Sequence, residues 1–272
     1  MTAAPHPHAP WALAFAILPW RESEKAAAWA RIEAGEALLL PPDVEALWAR
    51  RADFEVPGAR LLLPGDPEAD RLCAPLPYPV ALWVRGTVPP AFPAVGIVGA
   101  RKASGAGLRR AHAFGKALTE AGVAVVSGLA RGIDGAAHLG ALDALSGNGP
   151  TWAVLGSGLH RPYPPEHRPL LDRMVAAGGG ALTPFPPDAE PKPFHFPRRN
   201  LLLAAWVQAV LVVEAEVRSG SLVTAKLALD HGKDLYLCPG SPGTDALLDE
   251  GAATVCEDAV DLIRELREIQ AP

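Results

Sequence analysis

One stretch, Ala94 to Gly115, restricts the fold more than any other part of the chain. Its apolar run Val95 to Val98 reads as a buried parallel strand. Gly99 follows at the carboxyl end, the edge at which open α/β sheets bind ligands. Gly105 and Gly107 permit a tight turn or a close approach of the backbone, and Ser104 is placed as an N-cap or a ligand-binding hydroxyl. From Ile97 to Lys116 the chain carries Arg101, Lys102, Arg109, Arg110 and Lys116, and no Asp or Glu. A basic loop entering a helix N-terminus suits a phosphate. A βα turn with ordinary solvated charges gives the same pattern.

The chain around this stretch sets the fold class. Strand-like and helical patterns alternate from residue 94 onward, with short Gly-rich turns after the strands. Repeated βα units of this kind imply an α/β protein with a mostly parallel sheet and helices on both faces. Residues 1–10 are expected to form a disordered tail. Residues 11–58 carry three helical patterns and form a small helical module, with Pro41 and Pro42 parting the second helix from the third. Residues 59–256 are the sheet domain, and 257–272 an acidic C-terminal helix with no winged helix after it. Within the domain, Pro184 to Pro197 reads as a Pro-rich loop and Arg198 to Gln208 as the helix that follows.

Composition excludes several classes. With 49% hydrophobic residues among 272, the chain has the mass for a substantial core. Its net charge of −5 is not that of a histone-like protein. The charge is uneven, however, because eight acids between Asp245 and Gln270 hide the basic centre in the average. Cys73, Cys238 and Cys256 are widely spaced and odd in number, which suggests neither a disulfide framework nor a metal site, and fits a reducing cytoplasm. No secretory signal or membrane span is read.

The other strand ends carry equipment like that of the first. S-G-L-A-R-G-I-D-G-A-A-H follows Val126, bringing Ser127, Gly128 and Arg131. L-G-S-G-L-H follows Val154, bringing Gly156. E-A-E-V-R-S-G-S-L-V-T follows Val213, where Ser219, Gly220, Ser221 and Thr224 read as a donor-rich helix N-terminus suited to an anion. In a parallel sheet these ends lie on one edge and meet Arg101 and Ser104 across a shared crevice. Glu214 could pair with a basic residue there or serve as a base, and pairing is expected. The segment K-P-F-H-F-P-R-R-N interleaves Lys192, Arg198, Arg199 and Asn200 with Phe194 and Phe196. Cations can hold a nucleic-acid backbone while aromatics stack on bases; the same phenylalanines could instead anchor a Pro-rich loop. Asp134 and His138, four residues apart on a helix, could form a polar pair. Neither a nucleophile elbow nor a P-loop nor a dinucleotide fingerprint is present, so no cofactor and no catalytic constellation are expected.

The segment Ser127–Leu142 resembles the DprA/Smf family of bacterial DNA-processing proteins. The resemblance extends in order through V-G-A-R-K-A-S (Val98–Ser104), A-V-L-G-S-G-L (Ala153–Leu159), F-P-R-R-N (Phe196–Asn200), V-V-E-A (Val212–Ala215) and S-G-S-L-V-T-A (Ser219–Ala225). It implies an extended Rossmann-like domain that binds single-stranded DNA, protects incoming strands in natural transformation and helps load RecA, as a homodimer in the cytoplasm. It implies no established enzymatic reaction. The family's pocket maps onto Gly99, Arg101, Ser104, Ser127, Gly128 and Arg131, and its basic-aromatic loop onto Lys192, Phe196, Arg198, Arg199 and Asn200. The family's R-N-R ends here in Leu201. The alternative is a nucleotide-binding or nucleotide-hydrolysing protein that uses the same crevice.

Overall fold

A computed structural model describes residues 6–269 apart from 19, 37, 39–42, 75, 92, 146 and 148. Its described strands form one nine-stranded sheet: β1 (Ala59–Leu62), β2 (Leu82–Gly86), β3 (Ala94–Val98), β4 (Ala124–Ser127), β5 (Thr151–Val154), β6 (Gly180–Thr183), β7 (Ala209–Val212), β8 (Asp234–Leu237) and β9 (Thr254–Val255). Their spatial order is β1-β2-β6-β5-β4-β3-β7-β8-β9. Every pairing from β6 to β9 is parallel, and β2 runs antiparallel to both β6 and β1. The architecture is the helix-covered, mostly parallel sheet expected from the alternation, in the extended Rossmann-like form that the resemblance implies.

The helices are α1 (Ala9–Ile17), α2 (Glu22–Glu33), α3 (Val44–Ala49), α4 (Pro67–Cys73), α5 (Gly105–Glu120), α6 (Ile133–Leu142), α7 (Arg168–Ala176), α8 (His195–Trp206), α9 (Gly220–Asp230), α10 (Pro242–Asp249) and α11 (Ala259–Ile269). Side chains on a strand alternate between faces, so each apolar strand feeds two layers. Val95 and Ile97 meet Phe114 and Leu118 of α5, Ile133 and Ala137 of α6, and Leu262 and Leu266 of α11. Val98, Val126 and Val154 face the other way, against Leu202, Leu203 and Trp206 of α8 and Ala225 and Ala228 of α9. Helices α5 and α6 touch through glycine. A Cβ on Gly140 would lie 1.9 Å from the His112 carbonyl oxygen, and one on Gly115 2.2 Å from that of Ala137.

Between β3 and β7 the strand order reverses. From β3 the chain proceeds to β4 on one side, and from β7 to β8 on the other. Loops leaving a sheet in opposite directions open a crevice at the carboxyl ends of the two strands. That point positions the site.

Three expectations change. The tail is shorter than residues 1–10, because Ala9 and Pro10 begin α1; residues 1–5 lie outside the described residues, as do Pro41 and Pro42. The N-terminal helices share the core of the sheet: Phe15 and Trp29 join the cluster holding Leu82 and Leu182, and the Trp83 indole donates to the Phe54 carbonyl at 2.6 Å. Helix α8 starts at His195, three residues before the expected loop-to-helix junction.

Candidate functional site

The N-terminus of α5 is already occupied by an anion, and that anion is Glu214. Ser104 caps the helix, its hydroxyl accepting from the Gly107 amide at 3.0 Å. One carboxylate oxygen of Glu214 accepts from the Ser104 amide at 2.9 Å, and the other from the Ser104 hydroxyl at 2.6 Å. Gly107 makes this possible, since a Cβ there would lie 2.2 Å from the Glu214 carboxylate. Gly99 serves the backbone of the same loop: the Ala100 amide donates to the Glu214 carbonyl at 2.7 Å, and a Cβ on Gly99 would approach that oxygen to 2.8 Å. Glu214 therefore caps a helix rather than pairing with a basic residue, and a carboxylate takes the phosphate's place at this helix end. Replacing Glu214 with Ala is expected to cost about 1–2 kcal/mol in urea denaturation, the range for a lost cap with a charge at the helix dipole. A loss below about 0.5 kcal/mol, that of an ordinary surface substitution, would contradict the capping role.

The crevice lies beside this cap and has a volume of about 590 Å³. Its walls include Gly99, Arg101, Lys102, Asp134, Phe196, Arg199, Asn200, Glu216, Arg218, Ser219, Gly220, Ser221 and Thr224. Four cations thus face two carboxylates. Arg101, Lys102 and Arg218 are exposed. Ser219 gives the α9 N-terminus no side-chain cap; its hydroxyl instead shares a hydrogen bond with that of Ser221 at 2.7 Å. Unlike the start of α5, this helix end is free to receive an anion.

Phe196 and Arg199 rise from one face of α8. The Arg101 guanidinium lies 5.1 Å from the Phe196 ring centre and the Arg199 guanidinium 5.8 Å. Tyr163 meets the ring edge-on at 6.0 Å, and Gly156 leaves room for it, since a Cβ there would come within 2.8 Å. Arg199 is buried. It donates to the Val154 carbonyl at 3.0 Å and to the Asn200 side-chain oxygen at 2.8 Å. A Cβ on Gly128 would fall 1.6 Å from its guanidinium, so only glycine admits it there. The Asn200 amide donates to the Gly220 carbonyl at 3.3 Å, joining α8 to the start of α9.

Burial raises the pKa of Asp134, against the opposing pull of the Arg199 charge and of the amides of Ala130 and Gly128. The same burial lowers that of Arg199, which the Asp134 charge opposes. Asp134 accepts from the Gly128 and Ala130 amides at 3.1 and 3.3 Å, so it braces the loop after β4. His138 does not join it: its Nδ1 meets the Thr151 hydroxyl at 2.9 Å, and burial holds its pKa down at about 3. The expected polar pair does not form. Among the described residues no group of three or more His, Cys, Asp or Glu could hold a metal ion. Among them, too, no helix is long and apolar enough to cross a membrane.

The structure separates the remaining candidates. Ser127 is buried and donates to the Ile97 carbonyl at 2.5 Å, which ties β4 to β3. Arg131 turns outward to an ion pair with Glu166 and lies 5.8 Å from the Tyr163 ring. Lys192, Phe194 and Arg198 line a different cavity on the opposite face of α8. Lys102 and Arg218 were missed as individual site residues. Their signal was position: each stands next to a residue already singled out, Arg101 or Ser219.

Comparison with known proteins shows the family. The family model described as DNA recombination-mediator protein A matches residues 66–267. Protein Smf of Escherichia coli (strain K12) is 40% identical over 205 residues, which make up 72% of this chain and 54% of that protein. DNA processing protein DprA of Streptococcus pneumoniae is 38% identical over 184 residues, 65% of this chain and 64% of that one. The chain therefore spans about half to two thirds of the length of these relatives. The X-ray structure of DprA from Streptococcus pneumoniae superposes with a TM-score of 0.71 at 28% identity, covering 94% of this chain and 96% of the other. DprA from Helicobacter pylori, a protein with a single-stranded DNA binding mode, gives 0.66 at 25% identity over 77% and 96%. With a family match that runs from α4 into α11 and encloses every wall of the crevice, the chain belongs to the DNA recombination-mediator protein A family.

Proposed function

We infer that this chain is a single-stranded DNA-binding protein and that the strand lies across the crevice at the β3–β7 switch point. The observation that carries the reading is the exposed Arg101 resting on Phe196, beside the open N-terminus of α9. Arg101, Lys102 and Arg218 neutralise phosphates, and the α9 amides with Ser219, Ser221 and Thr224 accept one more. Arg101 leaves the ring for a phosphate, and a base stacks on Phe196 in its place. An exposed cation on an aromatic ring is worth about 0.5–1 kcal/mol, less than the 1–3 kcal/mol of a stacked base. Gly99, Gly128 and Gly156 shape the walls, Arg199 and Asn200 hold them, and Ser104, Gly107 and Ser127 support the loops from behind.

The nucleotide-hydrolysing alternative is not favoured. Glu214, its candidate base, is engaged in capping α5. The wider role follows the resemblance and belongs to the same proposal: protection of DNA strands, RecA loading, and a homodimer acting in the cytoplasm. Light scattering behind size exclusion tests the dimer, and a monomer at micromolar concentration argues against it.

Fluorescence anisotropy with labelled oligo-dT tests the binding. Three phosphate-neutralising side chains give a slope of log affinity against log salt of about −2, at roughly −0.7 per phosphate for single strands. Absence of binding by the folded protein at low salt would overturn the reading.

A further inference from the structure

The opposite face of α8 forms a second basic site, distinct from the crevice. On a helix, neighbouring residues diverge by about 100°, so Phe196, Arg199 and Asn200 face the crevice while His195 and Arg198 face away. They enter a cavity of about 430 Å³ beneath the N-terminal helices, within the 300–1,000 Å³ typical of small-molecule sites. Trp20, Phe54 and Phe185 supply aromatic walls, and Lys25 of α2 completes the basic lining.

Three buried basic side chains meet there with too few partners. Lys25 and Arg198 are each 3% exposed and His195 is 9% exposed. Among the described residues Glu22 is the carboxylate within ion-pair distance of Lys25 and Arg198, with Glu24 acting on Lys25 from further off, and Glu22 serves three groups at once. It accepts from the Tyr78 hydroxyl, lies 3.4 Å from the Lys25 ammonium and 3.5 Å from Arg198 Nε. Arg198 Nε and Nη2 and His195 Nδ1 are buried with no hydrogen-bond partner among the described residues. The acids at the mouth are engaged elsewhere: Asp53 with Arg50 at 3.0 Å, Asp188 with His160 at 2.9 Å and Glu190 with Arg161 at 3.4 Å. Burial, and then the nearby Arg198 charge, hold the Lys25 pKa down at about 8, while burial holds that of His195 at about 4. Two buried cations that share one carboxylate and leave donors unsatisfied are costly, and a phosphate supplies both the missing charge and the missing acceptors.

We propose that Lys25, His195 and Arg198 form a second anion site that binds the phosphate of a nucleotide, with its base against Trp20 or Phe54. The phosphate comes either from a free mononucleotide or from a strand that continues past the crevice. The Arg198 guanidinium lies over the Tyr78 and Phe185 rings, at 5.8 and 5.4 Å, but a clasp that merely fastened α2 to α8 would also give Nε and Nη2 acceptors, and among the described residues they have none.

The test is a titration of the ¹³C-histidine-labelled full chain with inorganic phosphate, deoxythymidine monophosphate and oligo-dT, each against chloride at equal ionic strength, following the His195 ring by NMR. The site predicts saturable movement of His195 by phosphate and tighter binding of the monophosphate. It also predicts retention of both in Arg101→Ala, which weakens the crevice, and at least a tenfold weakening in Lys25→Met. Movement of His195 by oligo-dT with the same dependence on Lys25 assigns the phosphate to the strand; no movement assigns it to the free nucleotide. If all three probes leave His195 where chloride leaves it, or if a folded Lys25→Met responds as the parent does, the site does not exist. Should Lys25→Met fail to fold, the wild-type and Arg101→Ala titrations decide alone. Oligo-dT binding at the crevice survives failure of this proposal.

Discussion

Replacing Arg199 with Met is expected to destabilise the fold by about 3 kcal/mol near neutral pH, and by less as the pH falls. Two buried acceptors, the Val154 carbonyl and the Asn200 side-chain oxygen, lose their donor, and each unsatisfied buried group costs about 1–3 kcal/mol. Relief of the buried charge of Arg199 opposes this. It does not win, because Asp134 remains buried, and removing one of two interacting buried charges leaves the other uncompensated. The Asp134 carboxyl already titrates above its ordinary 3.8 in the folded chain, and losing the Arg199 charge moves it higher. Between 3.8 and the raised value the native state keeps a proton that the unfolded chain has lost. Stability therefore falls as pH rises through that window and levels off above it. The window is wider in the variant, so its deficit relative to wild type grows with rising pH and shrinks toward pH 4. Urea denaturation at several pH values measures both parts. A deficit independent of pH would show that Asp134 does not depend on Arg199. Pairing the change with Asp134→Asn should recover the pH-dependent part alone, since the amide oxygen still accepts from Gly128 and Ala130.

The sheet was legible because its central parallel strands β3, β4 and β7 are apolar runs, the first two closed by glycine or serine, and because burial on both faces requires such runs. Two-residue β9 offers no pattern to read, and α4 begins at Pro67 in a stretch that looks like a turn. The costlier departure concerns Pro197, which in the sequence reads as the end of a loop. Proline is tolerated in the first helical turn, where amides have no intrahelical acceptor, and Pro197 is the third residue of α8. Moving the helix start back to His195 changes what the segment does. As a loop, Lys192 to Asn200 could turn every cation toward one ligand. As a helix it sends Arg199 to the crevice and its neighbour Arg198 to the opposite cavity. Glu214 was illegible for another reason. Its partner Ser104 lies 110 residues earlier, and only the adjacency of β3 and β7 brings them together.

The expected effect of Phe196→Leu on oligo-dT affinity follows from that same geometry. A stacked base contributes about 1–3 kcal/mol, so the loss should be roughly 10- to 100-fold. Leucine still fills the space over Gly156, which keeps the fold out of the measurement. The variant removes a stacking surface and no phosphate contact, so its salt slope should match wild type. Arg101→Ala should instead reduce the slope by about 0.7, one phosphate's share for a single strand. Phe194 is the internal control. It is 64% exposed, lies 5.8 Å from the Lys192 ammonium and faces the other cavity. More exposed than Phe196, it would be the better platform if exposure alone decided. The crevice reading requires Phe194→Leu to bind oligo-dT as wild type does. If Phe194→Leu loses the affinity and Phe196→Leu keeps it, the bases stack on the far face of α8 and the strand does not run through the β3–β7 switch point.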